Sequence, residues 1–200
     1  MSSIFDGISS VYDRGMAPLE AALLRRLRRR MFPPLAGDVL ELGIGTGVNL
    51  PLYSDQAHVV GCDVSAKMLS WAAQRRPRAS VRLIQADAQA LPFCDACFDV
   101  VTASLLFCSV ADPTRGLQEV HRVLRPGGRL MLLEHTRGRG IGRWVTDLLH
   151  PLWLAWSHDC HLNRETARTV AEAGFELQRV ETYVLGVVRL IEARPAPQSR

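Results

Sequence analysis

The sequence predicts an α/β protein: a mostly parallel sheet with helices on both faces, closed by a C-terminal antiparallel strand. Three observations predict it. Short apolar runs alternate with amphipathic helical stretches from residue 38 onward. Several of those runs are almost wholly apolar, as strands covered on both faces are. At the end, FELQRVETY (175–183) and LGVVRLIEA (185–193) lie so close together that they must form a hairpin.

The first 35 or so residues read as helical and stop near Pro33 and Pro34, because proline cannot continue a helix. Leu19, Leu23, Leu27 and Met31 recur at every fourth position as an apolar stripe, which leaves Arg25, Arg26, Arg28, Arg29 and Arg30 to the other faces. DVLEL (38–42) is the first strand, and Gly47 to about Tyr53 is a short helix or turn. HVVGCD (58–63) is the second strand. Ser65 caps a helix over 66–76 that turns Met68, Leu69 and Ala72 to one side. SVRLIQA (80–86) and FDVVTAS (98–104) are the third and fourth strands. A helix from about Pro113 to Leu124 ends at Pro126-Gly127-Gly128, and GRLMLLEH (128–135) is the fifth strand. A helix over 163–173, capped by Asn163 and stopped by Gly174, leads into the hairpin. The chain then reads as one structural domain: an N-terminal helical lid or membrane-facing segment (1–36), the α/β unit (37–194) and a flexible tail (195–200).

Net charge is only +4, but it is clustered, with Arg137, Arg139 and Arg143 forming a second group. That distribution suits an anionic surface or substrate better than sequence-specific reading of nucleic acid. The five cysteines are an odd number without framework spacing, and MSSIFDGISS is not a secretory signal, so a reduced, cytoplasmic setting is expected. WVTDLLHPLWLAW (144–156) is too short to span a bilayer and is interrupted by Asp147, His150 and Pro151. Its Trp144, Trp153 and Trp156 suit a membrane interface or an apolar pocket. With the arginine-rich first helix they point to peripheral contact with an anionic inner membrane surface.

VLELGIGTG (39–47) carries the chemistry. The dinucleotide fingerprint G-x-G-x-x-G fails because Val48 stands at its sixth position, and no Lys-Ser/Thr pair follows to make a Walker loop. Glu41 would repel a diphosphate but suits an ammonium group. Asp63, twenty residues beyond Gly43, ends the second strand, where it can accept hydrogen bonds from ribose hydroxyls. Asp87 ends the third strand, within reach of an adenine amino group. Either aspartate alone is more simply a turn residue. Together with Glu41 they mark the carboxyl ends of three successive strands, where ligands bind in open α/β sheets. An adenosine with an amino-acid-like cation and no phosphate fits all three acids, and S-adenosylmethionine is such a ligand.

VLELGIGTG, GCDVSAKML, ADAQALPF, FDVV and RVLRPGGRL together resemble the successive motifs of class I S-adenosylmethionine-dependent methyltransferases, over about residues 5–193. The resemblance implies a Rossmann-like, seven-stranded sheet with its last strand antiparallel, and S-adenosyl-L-homocysteine as product. IFDGISSVYDRGM resembles the entry segment of quinone and phospholipid methyltransferases. LELGIGTGVNLPLY and VVGCDVSAKML look like bacterial phosphatidylethanolamine N-methyltransferases. LLFCSV, VLRPGGRLMLLEH and HPLWLAWSHDCHLNRET look like small membrane-associated thiol S-methyltransferases. The resemblance implies a cofactor site lined by Glu41, Gly43, Gly45, Gly47, Asp63 and Asp87, with Tyr12, Asn49, Met68, Ala88 and Ser104 as further contacts.

Methyl transfer from a sulfonium needs mainly alignment and exclusion of water. Nitrogen or sulfur acceptors need little or no base, whereas a ring carbon needs one. His135, at the end of the fifth strand, is the candidate base, and Tyr12 could orient an acceptor or cover the cofactor. His158, Asp159, Cys160 and His161 are too crowded for a structural zinc set, so no metal is expected and a pocket role is preferred for Asp159 or His161. Cys62 and Cys108 read as small core hydrophobes. The acceptor expected is a small apolar or amphiphilic molecule or lipid. No nucleic acid partner is expected, because SLLFCSV after the fourth strand has neither an Asn-Pro-Pro-Tyr nor a Pro-Cys motif. A ring-carbon quinone methyltransferase and a catalytically silent cofactor-binding partner are the alternatives.

Overall fold

The computed structural model describes residues 23–32, 35–157 and 160–197. Tyr12, His158 and Asp159 lie outside the described residues, as do the side chains of Trp153 and Trp156. Helix α1 (Arg25–Met31) precedes strand β1 (Gly37–Leu42). A single 3-10 turn (Leu50–Leu52) leads to β2 (Ala57–Asp63), α2 (Ala66–Ala72), β3 (Ser80–Gln85) and β4 (Phe98–Ser104). Then follow α3 (Pro113–Val123), β5 (Leu124–His135), α4 (Ile141–Ser157), α5 (Thr166–Glu172), β6 (Phe175–Tyr183) and β7 (Val188–Pro195).

The sheet has seven strands in the order β3-β2-β1-β4-β5-β7-β6. The first five run parallel, and β7 is antiparallel to both β5 and β6. The order reverses between β1 and β4, and in open α/β sheets the crevice at that point holds the ligand. Period-2 alternation divides the central strands between two cores. Leu40, Leu42, Val101, Ala103, Leu130 and Leu132 point to one, and Val39, Val100, Met131 and Leu133 to the other. Of the stripe, Leu27 and Met31 are buried in the second core beside Leu24, Leu23 packs partly against it, and Leu19 lies outside the described residues.

Several expectations need correction. Arg28, assigned with its neighbours to the outer faces, is buried at 7% exposure. The helix beginning at Ser65 ends at Ala72, and its cap holds: Ser65 Oγ accepts from the Met68 N–H at 3.1 Å. The later helix starts at Thr166, with Glu165 rather than Asn163 at its cap position. Arg164 is spent instead on the Phe107 and Val110 carbonyls, at 2.6 and 2.7 Å. The hairpin link is longer than the sequence suggested, a 3-10 turn over Val184–Gly186. Cys94 and Cys97, read as reduced, are joined by a disulfide.

Residues 144–156 lie within one helix, α4, which carries Pro151 inside it. Its apolar face is turned to solvent: Ile141, Trp144, Leu148 and Leu152 are each more than 70% exposed. Among the described residues no helix is long and apolar enough to cross a membrane.

Candidate functional site

The loop after β1 turns on three glycines in left-handed conformation, Gly43, Gly45 and Gly47, with φ of 62°, 55° and 74°. A β-carbon on Gly45 would meet nothing within 4 Å, so the backbone there is open to a ligand. The Gly45 N–H donates to Asp63 Oδ2 at 2.9 Å, and the Ser65 N–H donates to Asp63 Oδ1 at 2.9 Å. Asp63 thereby fixes the loop against the end of β2.

Glu41 alternates onto the α1 side of β1 and is 1% exposed. Its Oε1 accepts from Asn49 Nδ2 at 2.6 Å, and the same amide lies 3.2 Å from Ser104 Oγ at the end of β4. On its other side, Asn49 Oδ1 accepts from Arg28 Nη1 at 2.7 Å. Tyr53 is buried beside them, its hydroxyl 2.8 Å from Thr102 Oγ1. Burial pushes the Glu41 carboxyl up to about 7, against the opposing pull of Asn49, Tyr53 and the Arg28 charge. Glu41 Oε2 has no hydrogen-bond partner among the described residues. Sequence reasoning missed Arg28 because it counted only the apolar stripe of its helix. Its place one position after Leu27, in a helix that packs on the sheet at β5, was the usable signal.

Met68 is buried on α2, and Ala88 packs partly against the first core. Asp87 takes the simpler form: its Oδ1 accepts from the Gln89 N–H at 2.9 Å, a side chain closing its own turn. The structure thus links Glu41, Asn49, Ser104 and Arg28 directly, and ties Asp63 to Gly45. It shows no bond from Asp87 to that group among the described residues.

His135 ends β5 at 6% exposure. It lies beside two thiols, with Cys160 Sγ 3.7 Å from His135 Nδ1 and 3.5 Å from Cys108 Sγ. Glu134 is fully buried and accepts from the N–H groups of Leu106, Phe107 and Cys108 at 3.0, 2.9 and 3.2 Å. Burial lifts its carboxyl to about 7 while those three donors restrain the rise.

Residues 40–132 match a family model described as a methyltransferase domain. Over 138 residues the chain is 38% identical to a phosphatidylethanolamine N-methyltransferase of Cereibacter sphaeroides, covering 66% of this chain and 68% of that protein. The chain belongs to the S-adenosylmethionine-dependent methyltransferases. It is 40% identical over 140 residues to a demethylmenaquinone methyltransferase of Clavibacter sepedonicus, covering 67% of this chain and 57% of that protein. It is 36% identical over 151 residues to a thiol S-methyltransferase of Rattus norvegicus, covering 72% and 62%. The chain therefore spans little more than half the length of the demethylmenaquinone relative. A methyltransferase structure from Thermotoga maritima matches the fold with a TM-score of 0.77 at 23% identity, over 98% of this chain and 100% of that one.

Membership in this methyltransferase family brings S-adenosylmethionine as methyl donor, and the residues present fit it. A buried carboxylate oxygen without a partner suits a cation, and the open backbone at Gly45 admits a ligand at close range. Nothing at the loop supplies the lysine that a phosphate cradle uses.

Proposed function

We propose that the chain transfers a methyl group from S-adenosylmethionine to nitrogen or sulfur of a small amphiphilic acceptor, a phospholipid amine or an apolar thiol. The observation that carries the reading is Glu41, buried near the end of β1 with Oε2 unpartnered among the described residues. Bound there, the donor supplies an electrophilic methyl group on a sulfonium. Glu41 holds the amino-acid cation, with Asn49 and Arg28 fixing its orientation. Asp63 accepts from the ribose hydroxyls. Met68, Asp87 and Ala88 flank the adenine, and the backbone of Gly43, Gly45 and Gly47 passes close beneath. Ser104 lies at the end of β4 beside Asn49 and lines the methyl end. The residues align a displacement that a neutral amine or a thiolate completes without a base.

The acceptor class rests on the outer surface. The start of α4 packs through Gly142 against the turn that carries the exposed Val184 and Leu185: a β-carbon on Gly142 would sit 2.8 Å from Leu185 Cβ. Beside this patch a groove of about 450 Å³ is lined by Arg137, Arg139, Arg143, Arg168 and Arg189, with Glu165 as its one carboxylate. Arg189 is buried, and burial together with the Arg139 charge disfavours its cation. An anionic headgroup in that groove, with the α4 face in the acyl region, meets both demands. The chain then works at a membrane surface.

A second reading, ring-carbon methylation of a quinone, draws on the 40% identity to the demethylmenaquinone relative. In that chemistry His135 is the residue available as base. Labelled donor mixed with amine-lipid, thiol and quinone panels separates the readings. Transfer to none of the three, with donor bound, supports a silent partner protein and contradicts both.

A further inference from the structure

We propose that Cys108, His135 and Cys160 form a binding site for a thiophilic divalent metal ion, Zn²⁺ by chemistry. The site lies just past the carboxyl ends of β4 and β5, where metal ligation and the base role considered for His135 exclude one another, and its test does not depend on the methyl-transfer reading. Its three donors come from three segments that only the topology unites. Cys108 stands in the turn after β4, His135 is the last residue of β5, and Cys160 follows α4. The donor atoms all lie within 4.8 Å of one another. The two sulfurs are 3.5 Å apart, and Cys160 Sγ is 3.7 Å from His135 Nδ1.

Those separations match coordination geometry. Tetrahedral zinc, with sulfur at about 2.3 Å and nitrogen at about 2.0 Å, sets two sulfurs about 3.8 Å apart and sulfur and nitrogen about 3.6 Å apart. Two of the three separations thus lie within a few tenths of an ångström of coordination distance, and the third lies within 4.8 Å. Two thiols and an imidazole are the ligand types that select zinc among abundant divalent ions. Three protein ligands leave a fourth position for water.

The surroundings hold the donors in place, as outer ligands do in metal sites. Glu134 binds the Leu106, Phe107 and Cys108 N–H groups and so locks the Cys108 turn to the end of β5. The His161 N–H donates to the Cys108 carbonyl at 2.8 Å. Arg164 grips the carbonyls of Phe107 and Val110. The segment carrying Cys160 is thus tied on both sides of the cysteine's partner.

The test uses the full chain, reduced and stripped with chelator, then titrated with Co²⁺ followed by Zn²⁺. One equivalent of Co²⁺ should give sulfur-to-metal charge-transfer absorption and tetrahedral ligand-field bands, which Zn²⁺ then bleaches. C108S and C160S should each lose those bands, and the C94S/C97S double variant should keep them. Zn²⁺ should also protect two thiols of the wild type from a thiol reagent, a readout that holds if a variant fails to fold. Absence of the bands in the wild type overturns the proposal. So does their loss in C94S/C97S with retention in C108S and C160S, or a Cys108–Cys160 disulfide that persists under reduction and excludes metal.

Discussion

The Arg28 guanidinium donates to the Asn49 side-chain carbonyl across 2.7 Å, and the Asn49 amide donates onward to Glu41 across 2.6 Å. One neutral amide thus sits between two buried charges of opposite sign. Truncating it leaves both ends unsatisfied. N49A should cost about 1–3 kcal/mol of stability, the range for an orphaned buried polar partner. Denaturant unfolding measures this, and a loss under about 0.5 kcal/mol would mean that water replaces the amide without penalty.

The Glu41 carboxyl gives a pH signature. Its folded value, about 7, lies above the ordinary 4.5. A raised acid leaves stability intact below pH 4.5 and removes it as pH rises through 7, because the folded state must then carry a buried carboxylate. The full shift corresponds to about 3 kcal/mol. E41Q should match the wild type in stability near pH 5 and exceed it above pH 8. Donor binding works in the opposite direction, since a cation favours the ionised carboxyl. Affinity for S-adenosylmethionine should rise roughly ten-fold from pH 6 to pH 8 with proton release, and E41Q should flatten that slope. Calorimetry in buffers of different ionisation enthalpy reads both.

At the membrane face, L148D and W144D place charge where acyl chains are proposed to lie. Binding to vesicles containing phosphatidylglycerol should fall at least ten-fold while the fold is kept, since both side chains are more than 75% exposed. R139E/R143E should weaken binding to anionic vesicles and leave the weaker binding to phosphatidylcholine alone. Flotation assays distinguish these outcomes. Equal binding by all variants removes the membrane reading and leaves the methyl-transfer reading intact.

Gly47 holds φ at 74°, and a β-carbon there would lie 3.1 Å from the Ala72 backbone and 2.9 Å from Leu50 Cδ1. G47A combines left-handed strain with a clash against the end of α2, whose backbone cannot easily give way. A loss of about 1–3 kcal/mol is expected, together with weaker donor binding because the loop must shift. Thermal unfolding with and without donor measures both effects.

The sheet was legible in the sequence because buried parallel strands leave unbroken apolar runs, as VVGC and VVTA show. The glycine loop and Glu41 were legible because their chemistry is local. Helix α4 was harder to read: its exposed leucines and Trp144 look like core, and Pro151 argues against a helix. Arg28 was hidden because an arginine among five arginines gives no pattern that singles it out. The Cys108–His135–Cys160 group was invisible for a stronger reason. Its members lie on three segments far apart in the chain, and only the β4–β5 pairing and the return of the chain after α4 bring them together.

The account rests most heavily on a carboxylate-lined site for a phosphate-free adenosyl cation. Calorimetric titration of the wild type, E41Q and D63N with S-adenosylmethionine, and of the wild type with NAD, tests it most directly. One donor per chain, a loss of affinity of at least ten-fold in each variant, and no heat with NAD are predicted. Undiminished affinity in D63N, or NAD bound as tightly as the donor, would contradict it.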